Sequence, residues 1–266
     1  MKLFDFLKGG ARQETPGAKT DRKLDSLIRN ATDKRAQQYD RDDALRKLVT
    51  IGTAEAAEGL LKRFSIKVDP SITDEDEKQL AYDGIVAIGQ GQNAAHEPED
   101  QSKLRMAVLQ YTRNYCKNAE NLTWAVKVFS ALESDSEYEL ELLELLASHD
   151  TEYTRNVEPK VNLLSAAEVL RGAASRCAVE RYLGDVNETV RFHAVHTLFD
   201  QADVAAIPAL VTLLGDEESV RIKNKVAEGF VRLGWRVPET LHAAFRSGLA
   251  DSYQFRMRDD GGVDKN

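Results

Sequence analysis

The sequence predicts an all-α protein built as an α-solenoid, a stack of two-helix units. The motif Leu-Gly-Asp followed by Val-Arg occurs at 183–191 and again at 214–221. An Asp that closes one helix and a Val-Arg pair that opens the next, repeating after about 30 residues, is typical of stacked helix pairs. Apolar residues also recur with helical spacing along most of the chain. We therefore expect about six helix pairs that wind into a right-handed superhelix.

The composition divides the 266 residues into three parts. Residues 1–20 hold a short apolar tip and, over 8–20, a Gly- and Pro-containing stretch that predicts a flexible linker. Residues 21–250 carry the helical pattern and are expected to form one solenoid, and residues 251–266 form a tail. Apolar and polar residues alternate over 252–258, which fits a short strand or a terminal segment lying on the last repeat. We expect the second.

The first helices of the body are predicted from apolar stripes and from the residues at their ends. One stripe stops at Gly52, a residue suited to follow a helix C-terminus, and the next helix follows from Thr53. After a break around Pro70, Thr73 followed three residues later by Asp76 resembles a capping box and predicts a helix start. Nine further helices are expected at about 101–117, 121–134, 137–148, 158–174, 175–184, 187–201, 204–214, 217–234 and 238–249.

The composition also bears on the cellular compartment in which the protein is expected and on whether it binds nucleic acid. The net charge is −8, and phosphate backbones are recognised by surplus Lys and Arg, so a nucleic-acid partner is not the first expectation. No window approaches the roughly 18 uninterrupted apolar residues of a membrane span. The N-terminus does not follow the pattern of a secretory signal. Cys116 and Cys177 fall inside predicted helices and are expected to be reduced. Together these features predict a cytoplasmic protein.

The two late repeats resemble the HEAT repeat in its short bacterial form, which is also found in phycobilin lyases. The resemblance is carried by 175–234 and extends to 40–91, where Gly52 and Gly89 end successive helices. The whole chain is similar to bacterial HEAT-repeat proteins of this length, a likeness carried by 41–45, 60–64, 68–74, 187–192, 229–230 and 234–235. The resemblance implies a fold and does not imply a ligand.

The resemblance also implies a structural ladder between adjacent layers. In HEAT repeats the turn Asp and an Arg about six residues later form this ladder. Asp185 and Arg191 match that spacing, and Asp216 and Arg221 are one residue closer together. These four residues are therefore expected to hold the layers together rather than to bind a ligand.

The second late repeat departs from the first at one position. Asn224 stands where the first repeat has the small apolar Ala194. A polar group in the seam between two layers needs a hydrogen-bond partner. We therefore expect either a slightly rotated helix or a buried amide with a partner at this point.

The leading functional interpretation is a non-catalytic scaffold that binds a protein or peptide on a concave surface lined by the second helices. Catalytic residues, cofactors and a metal site are not predicted. His193 and His196 share one face of a predicted helix, but no Cys, Asp or Glu at ligand spacing was found to complete a metal site. The sequence also lacks a nucleophile elbow and a phosphate-binding glycine loop.

Two alternatives come from the resemblance. HEAT-like alkylpurine DNA glycosylases use a basic groove that carries aromatic residues. A candidate binding cluster of this kind consists of Arg221, Lys223, Lys225, Arg232 and Trp235. The preceding repeat supplies a single Arg in the matching helix, so a continuous phosphate track is not expected. A tetrapyrrole lyase is implied by repeat kinship alone.

Overall fold

The computed structural model describes residues 16–92, 98–250 and 252–266. Within these ranges the protein is all-α apart from one short pair of strands, which confirms the predicted class. The helices are α1 Pro16–Thr32, α2 Gln38–Ile51, α3 Ala54–Leu61, α4 Ser71–Gly89, α5 Pro98–Cys116, α6 Thr123–Leu132, α7 Asp135–Ser148, α8 Glu158–Ala166, α9 Ala173–Glu180, α10 Glu188–Gln201, α11 Ile207–Asp216, α12 Val220–Leu233 and α13 His242–Gly248. Short 3-10 turns lie at Lys62–Ser65, Ala167–Val169, Arg181–Gly184, Val204–Ala206 and Glu239–Leu241.

The chain forms two compact units, and the boundary between them falls after Thr112, within α5. The sequence pattern had predicted one body over 21–250. The predicted flexible linker over 8–20 is helical from Pro16 onward, because a proline presets the backbone for the first position of a helix. Residues 1–15 of the predicted N-terminal tip lie outside the described residues.

In the first unit, α1 packs on α2, and α2 and α3 pack on α4. Gly52 ends α2 with φ of 68°, and the Thr53 side chain caps α3 by accepting a hydrogen bond from the Ala56 N–H at 3.3 Å. The predicted capping box at Thr73 is wrong. Helix α4 begins at Ser71, directly after Pro70 in extended conformation, and Thr73 is buried within its first turn.

A buried ion cluster joins α2, the turn after α3 and α4. Arg41 donates to both carboxylate oxygens of Glu77 at 3.0 Å, and Arg63 donates to Glu77 at 2.9 Å and to Asp74 at 2.8 Å. All four side chains are at most 5% exposed. Buried charges are tolerated only when they are paired and hydrogen-bonded. The acidic start of α4 is therefore partly an internal ion pair and not only a solvated face.

In the second unit, the helices lie in two rows. One row holds α7, α9 with its 3-10 extension, α11 and α13, and each contacts the next. The other row holds α6, α8, α10 and α12, again in contact order. Helices of the two rows also pack on each other, α9 on α10 and α11 on α12. Two side chains of α10 bond to carbonyl oxygens of the preceding layer, Thr197 to Leu164 and Gln201 to Ala167, both at 3.0 Å.

Helices α10 and α12 have equivalent ends. The side chains of Asn187 and Ser219 cap their N-termini, and left-handed residues, Ala202 and Gly234, follow their C-termini. Both pairs of caps are 32 residues apart. A close contact fixes the two helices, since a Cβ on Gly229 would lie 2.3 Å from the ring of Phe199.

The 32-residue offset corrects the repeat alignment made from the Val-Arg motif. In the structural register Ala194 corresponds to Val226, and both are fully buried. Asn224 therefore does not occupy the apolar seam position. Its carboxamide oxygen instead accepts a hydrogen bond from the Ser252 hydroxyl at 3.1 Å, in the C-terminal segment.

The C-terminal residues form an antiparallel pair, β1 Phe255–Met257 and β2 Val263–Lys265, with Met257 opposite Val263. Both strands pack on α12, and β1 also contacts α13. The connecting turn requires a glycine at Gly261 for two reasons. Its φ is 80°, and a Cβ added at this position would lie 2.3 Å from the Val237 carbonyl oxygen. The two alternatives predicted for 252–258, a strand and a terminal segment lying on the last repeat, thus both apply. The segment contains a short strand, and that strand packs on α12 and α13.

Candidate functional site

The predicted basic residues of α12 do not form one cluster. Arg221, Lys225 and Arg232 share one stripe of the helix, at spacings of four and seven. Lys223 lies on a different side, at the position equivalent to Arg191 of the preceding repeat. At 1.5 Å per residue, Arg221 and Arg232 are about 16 Å apart along the axis. The stripe therefore has two ends with different surroundings.

At the first end, α12 lies beside Phe192 of α10. The guanidinium carbon of Arg221 is 3.8 Å from the ring centroid and the Lys225 Nζ is 5.7 Å from it. His193 meets the same ring edge-on. Burial, followed by the charges of His196 and Arg221, holds the pKa of His193 below its ordinary value, so the neutral imidazole is favoured. Phe192, His193, Arg221 and Lys225 are called the Phe192 patch below.

At the other end, the charge of α12 is paired. The Arg232 Nη2 donates to the Asp200 Oδ1 of α10 at 2.7 Å. Trp235 is partly buried and its ring lies 5.3 Å from that of Phe199 and 5.9 Å from that of Phe230, between centroids. The indole thus contributes to packing between α10 and α12. Its predicted place beside a basic cluster is not supported by these contacts.

The predicted ladder residue Asp185 links its layer to the preceding one. Its carboxylate accepts from the Lys160 Nζ at 2.8 Å and from the Asn187 N–H at 2.8 Å. Lys160 lies on α8 and also donates to the Glu152 carbonyl at 3.0 Å. The side chains of Lys160 and Asp185 are at most 2% exposed. The buried pair therefore joins α8 to the turn before α10.

Arg191 links the same turn to the next layer. It donates to both oxygens of Glu217 at 2.8 and 3.0 Å, and its Nη1 donates to the Asp185 carbonyl oxygen at 2.9 Å. Arg191 and Asp185 thus meet through the backbone of Asp185 and not through its carboxylate. The Glu217 side chain is 2% exposed, so the bidentate pair closes one side of the seam between layers.

The turn before α12 uses Glu217 where Asp216 was expected. Glu217 accepts from the Ser219 N–H at 2.9 Å, as Asp185 accepts from the Asn187 N–H in the preceding turn. Asp216 is exposed. Arg221 lies over Phe192 as described above. Glu217, which directly follows the predicted Asp216, therefore makes the interlayer pair. The caps of α10 and α12 are 32 residues apart, whereas Asp185 and Asp216 are 31 residues apart.

The environment of Glu217 favours its ionised form. Burial alone would raise its pKa, but the hydrogen bonds from Arg191 and from the Ser219 backbone outweigh burial, so the pKa lies below the ordinary value. The carboxylate is therefore charged at neutral pH. The ion pair with Arg191 is intact under the same conditions.

A second group of polar side chains lies beside Arg232. The His196 Nδ1 is 2.9 Å from the Asp200 Oδ2 and 3.6 Å from the Glu168 Oε1. The sequence analysis did not pair His196 with Asp200, which follows four residues later on the same face of α10. Glu168 was not detectable from spacing, since it comes from the turn after α8.

Comparisons with known proteins do not add a function. No protein-family model matches the chain, and none of the curated proteins compared with it matches its sequence. Among the described residues, no helix combines the length and the apolar character needed to cross a lipid bilayer. The candidate surface is thus defined by the chain's own contacts, on the row that holds α8, α10 and α12.

Proposed function

We propose that the protein is a non-catalytic scaffold of HEAT-like helix pairs that binds another protein. The second helices α8, α10 and α12 provide the binding surface on the concave side of a right-handed superhelix. The bound partner is a protein or peptide segment lying across these helices. Bond making is not part of this mechanism, which consists of recognition on a preformed surface.

The packing of the second unit supports the HEAT-like arrangement. Two rows in which each helix contacts the next, with matching caps at both ends of α10 and α12, are what stacked helix pairs produce. The interlayer ion pairs of Asp185 with Lys160 and of Arg191 with Glu217 lie at the turns, where a ladder between layers is expected. A stack of this kind presents a long, rigid face, so little ordering is needed when a partner binds.

The observation that carries the proposal is the mixed charge of the α10 and α12 stripe. The Phe192 patch is cationic and aromatic, but Glu228 follows Lys225 on the same stripe with 4.0 Å between Nζ and the carboxylate. Farther along, Arg232 is paired with Asp200. Alternating signs with an aromatic anchor suit a protein surface, in which charge complementarity sets the register of a partner. A phosphate backbone requires a continuous cationic track.

Nucleic-acid binding stays the second candidate because Arg221 and Lys225 lie beside an aromatic ring. Such a patch can contact one or two phosphates. Counterion release then makes the binding fall steeply between about 50 and 200 mM salt. We expect weak binding to random duplex DNA that is abolished at the higher salt, and no release of alkylated bases.

Photo-crosslinking from α12 tests the proposal. A benzoylphenylalanine placed at Val220, which is 54% exposed next to Arg221, should crosslink a discrete protein in cells. The same probe at Ile72, 69% exposed on α4, is the matched control and should not give that product. Adding Arg221→Glu to the Val220 probe should remove the product, because the new carboxylate cancels the remaining positive charge of Lys225 in the Phe192 patch.

Three outcomes would contradict the scaffold function. The Val220 product could be nucleic acid, identified by its sensitivity to nuclease. The same protein could be crosslinked equally from Ile72, which would show non-specific proximity. Finally, the purified protein could bind duplex DNA tightly at about 200 mM salt, where a patch of two cations should have lost its affinity.

A further inference from the structure

Three side chains with metal-binding atoms converge where the turn after α8 meets α10. Glu168 belongs to the 3-10 turn Ala167–Val169, and His196 and Asp200 lie one turn apart on α10. One ligand atom of each lies within 4.8 Å of the other two. Among the described residues, no other group of three His, Cys, Asp or Glu side chains is found so close together.

The spacing of these atoms fits one bound ion. Nitrogen and oxygen ligands at about 2.0–2.2 Å from Zn²⁺ in tetrahedral geometry are separated by roughly 3.3–3.5 Å. The His196 Nδ1 lies 2.9 Å from Asp200 and 3.6 Å from Glu168, which brackets this separation. Small rotations of the two carboxylates are therefore sufficient to bring all three atoms to bonding distance of one centre.

The His196 Nδ1 lacks a partner that satisfies it. This atom is buried and makes no hydrogen bond in the described structure, although an oxygen of Asp200 lies 2.9 Å away. Leaving a buried polar atom unpaired is costly and is uncommon in folded proteins. An ion between Nδ1 and the carboxylates would supply the missing partner.

The charge around the histidine also favours a cation. The carboxylates of Asp200 and Glu168 both approach the His196 Nδ1, at 2.9 and 3.6 Å. Two carboxylates held this close repel each other, and a divalent ion would relieve that repulsion. The Asp200 Oδ1 is already occupied by Arg232, so the Oδ2 is left to face His196. Such an outer hydrogen bond is typical of a carboxylate ligand.

We propose that Glu168, His196 and Asp200 bind one divalent first-row transition-metal ion, with Zn²⁺ as the first choice. An imidazole nitrogen in the set favours Zn²⁺ or its neighbours over Mg²⁺ and Ca²⁺, which prefer all-oxygen sites. The three side chains are 25–34% exposed, so the ion can enter from solvent and keep water in its remaining positions. The ion joins the α8 layer to α10, beside the ion pair that joins α10 to α12.

Calorimetric titration of the untagged, metal-stripped protein with Zn²⁺ tests this site. We expect one ion per chain and a higher midpoint of thermal unfolding with Zn²⁺ than without it. His196→Asn should weaken the affinity by more than about tenfold, the lower limit seen when even an outer-shell partner is lost. His193→Asn is the matched control, since that histidine lies three residues earlier on the same helix, and it should leave the affinity unchanged.

A second variant and a competing ion make the result decisive. Glu168→Gln should reproduce the loss of affinity from a different element, with a circular dichroism spectrum equal to that of the wild type. A hundredfold excess of Mg²⁺ should not displace Zn²⁺. The proposal is overturned if no binding occurs at about 100 μM Zn²⁺, if both variants bind as well as the wild type, if His193→Asn loses as much affinity, or if Mg²⁺ competes.

Discussion

Replacing Arg191 by alanine should destabilise the second unit more than replacing any exposed arginine nearby. The change removes two hydrogen bonds to Glu217 and one each to the carbonyl oxygens of Asp185 and Val186. Glu217, whose side chain is 2% exposed when Arg191 is present, would keep its charge at the seam between layers without this partner. Of the contacts described for its carboxylate, the hydrogen bond from the Ser219 N–H at 2.9 Å would persist.

The expected cost follows from the burial of the two partners. Breaking a fully buried pair by removing one partner costs about 3–5 kcal/mol, whereas an exposed pair contributes about 0–1 kcal/mol. The Arg191 side chain is 20% exposed, so water can partly replace it beside the carboxylate. We therefore expect Arg191→Ala to lower the free energy of unfolding by about 2–3 kcal/mol.

Urea denaturation followed by circular dichroism measures this loss. Arg221→Ala is the control, because its guanidinium lies over the face of Phe192 and it should cost about 1 kcal/mol or less. The double variant Arg191→Ala with Glu217→Ala should recover part of the loss, since no charge is then left unpaired. A loss for Arg191→Ala no larger than that for Arg221→Ala, or no recovery in the double variant, would refute the ladder role.

Two further predictions concern the same seam. Gly229→Ala should cost about 1–3 kcal/mol because its Cβ would meet the Phe199 ring at 2.3 Å, whereas Gly215→Ala, with nothing within 4 Å, should be near neutral; equal unfolding midpoints would contradict this. The pH dependence of stability should include Glu217. Because its folded pKa is lowered, its contribution is present above its ordinary value of 4.5 and is lost as the pH falls through the folded pKa. Glu217→Gln should therefore show a weaker loss of stability in acid than the wild type.

The sequence predicted most helices because their ends carry local signals. Gly52 and Thr53 act on the backbone within one turn, and the structure uses them as expected. The start of α4 was misplaced because Pro70 and Thr73 gave competing signals, and the proline was the stronger one. The proline at residue 16 likewise starts a helix inside a stretch whose composition predicted a linker.

The candidate site was harder to predict because it depends on pairing between layers. The repeats were aligned at the Asp, which recurs at 31 residues, while the caps recur at 32, so Glu217 was overlooked beside Asp216. The sequence analysis assigned Trp235 to the basic cluster because cationic residues lie near it in the sequence. In the structure its ring instead packs against the ring of Phe199 on α10. Contacts between residues 25 or more positions apart, such as Lys160 with Asp185, leave no local trace in one sequence.

The caps of α10 and α12 are 32 residues apart at both helix ends, so the segment 203–234 corresponds to one complete structural repeat. A copy of 203–234 inserted after Gly234 would bring its own caps and would meet neighbours of the kind that it already has. The strand pair would still close the final layer, because β1 and β2 rest on the last helix of that row. Duplication can therefore lengthen the two rows of helices from within, with the strand pair still covering the last helix of its row.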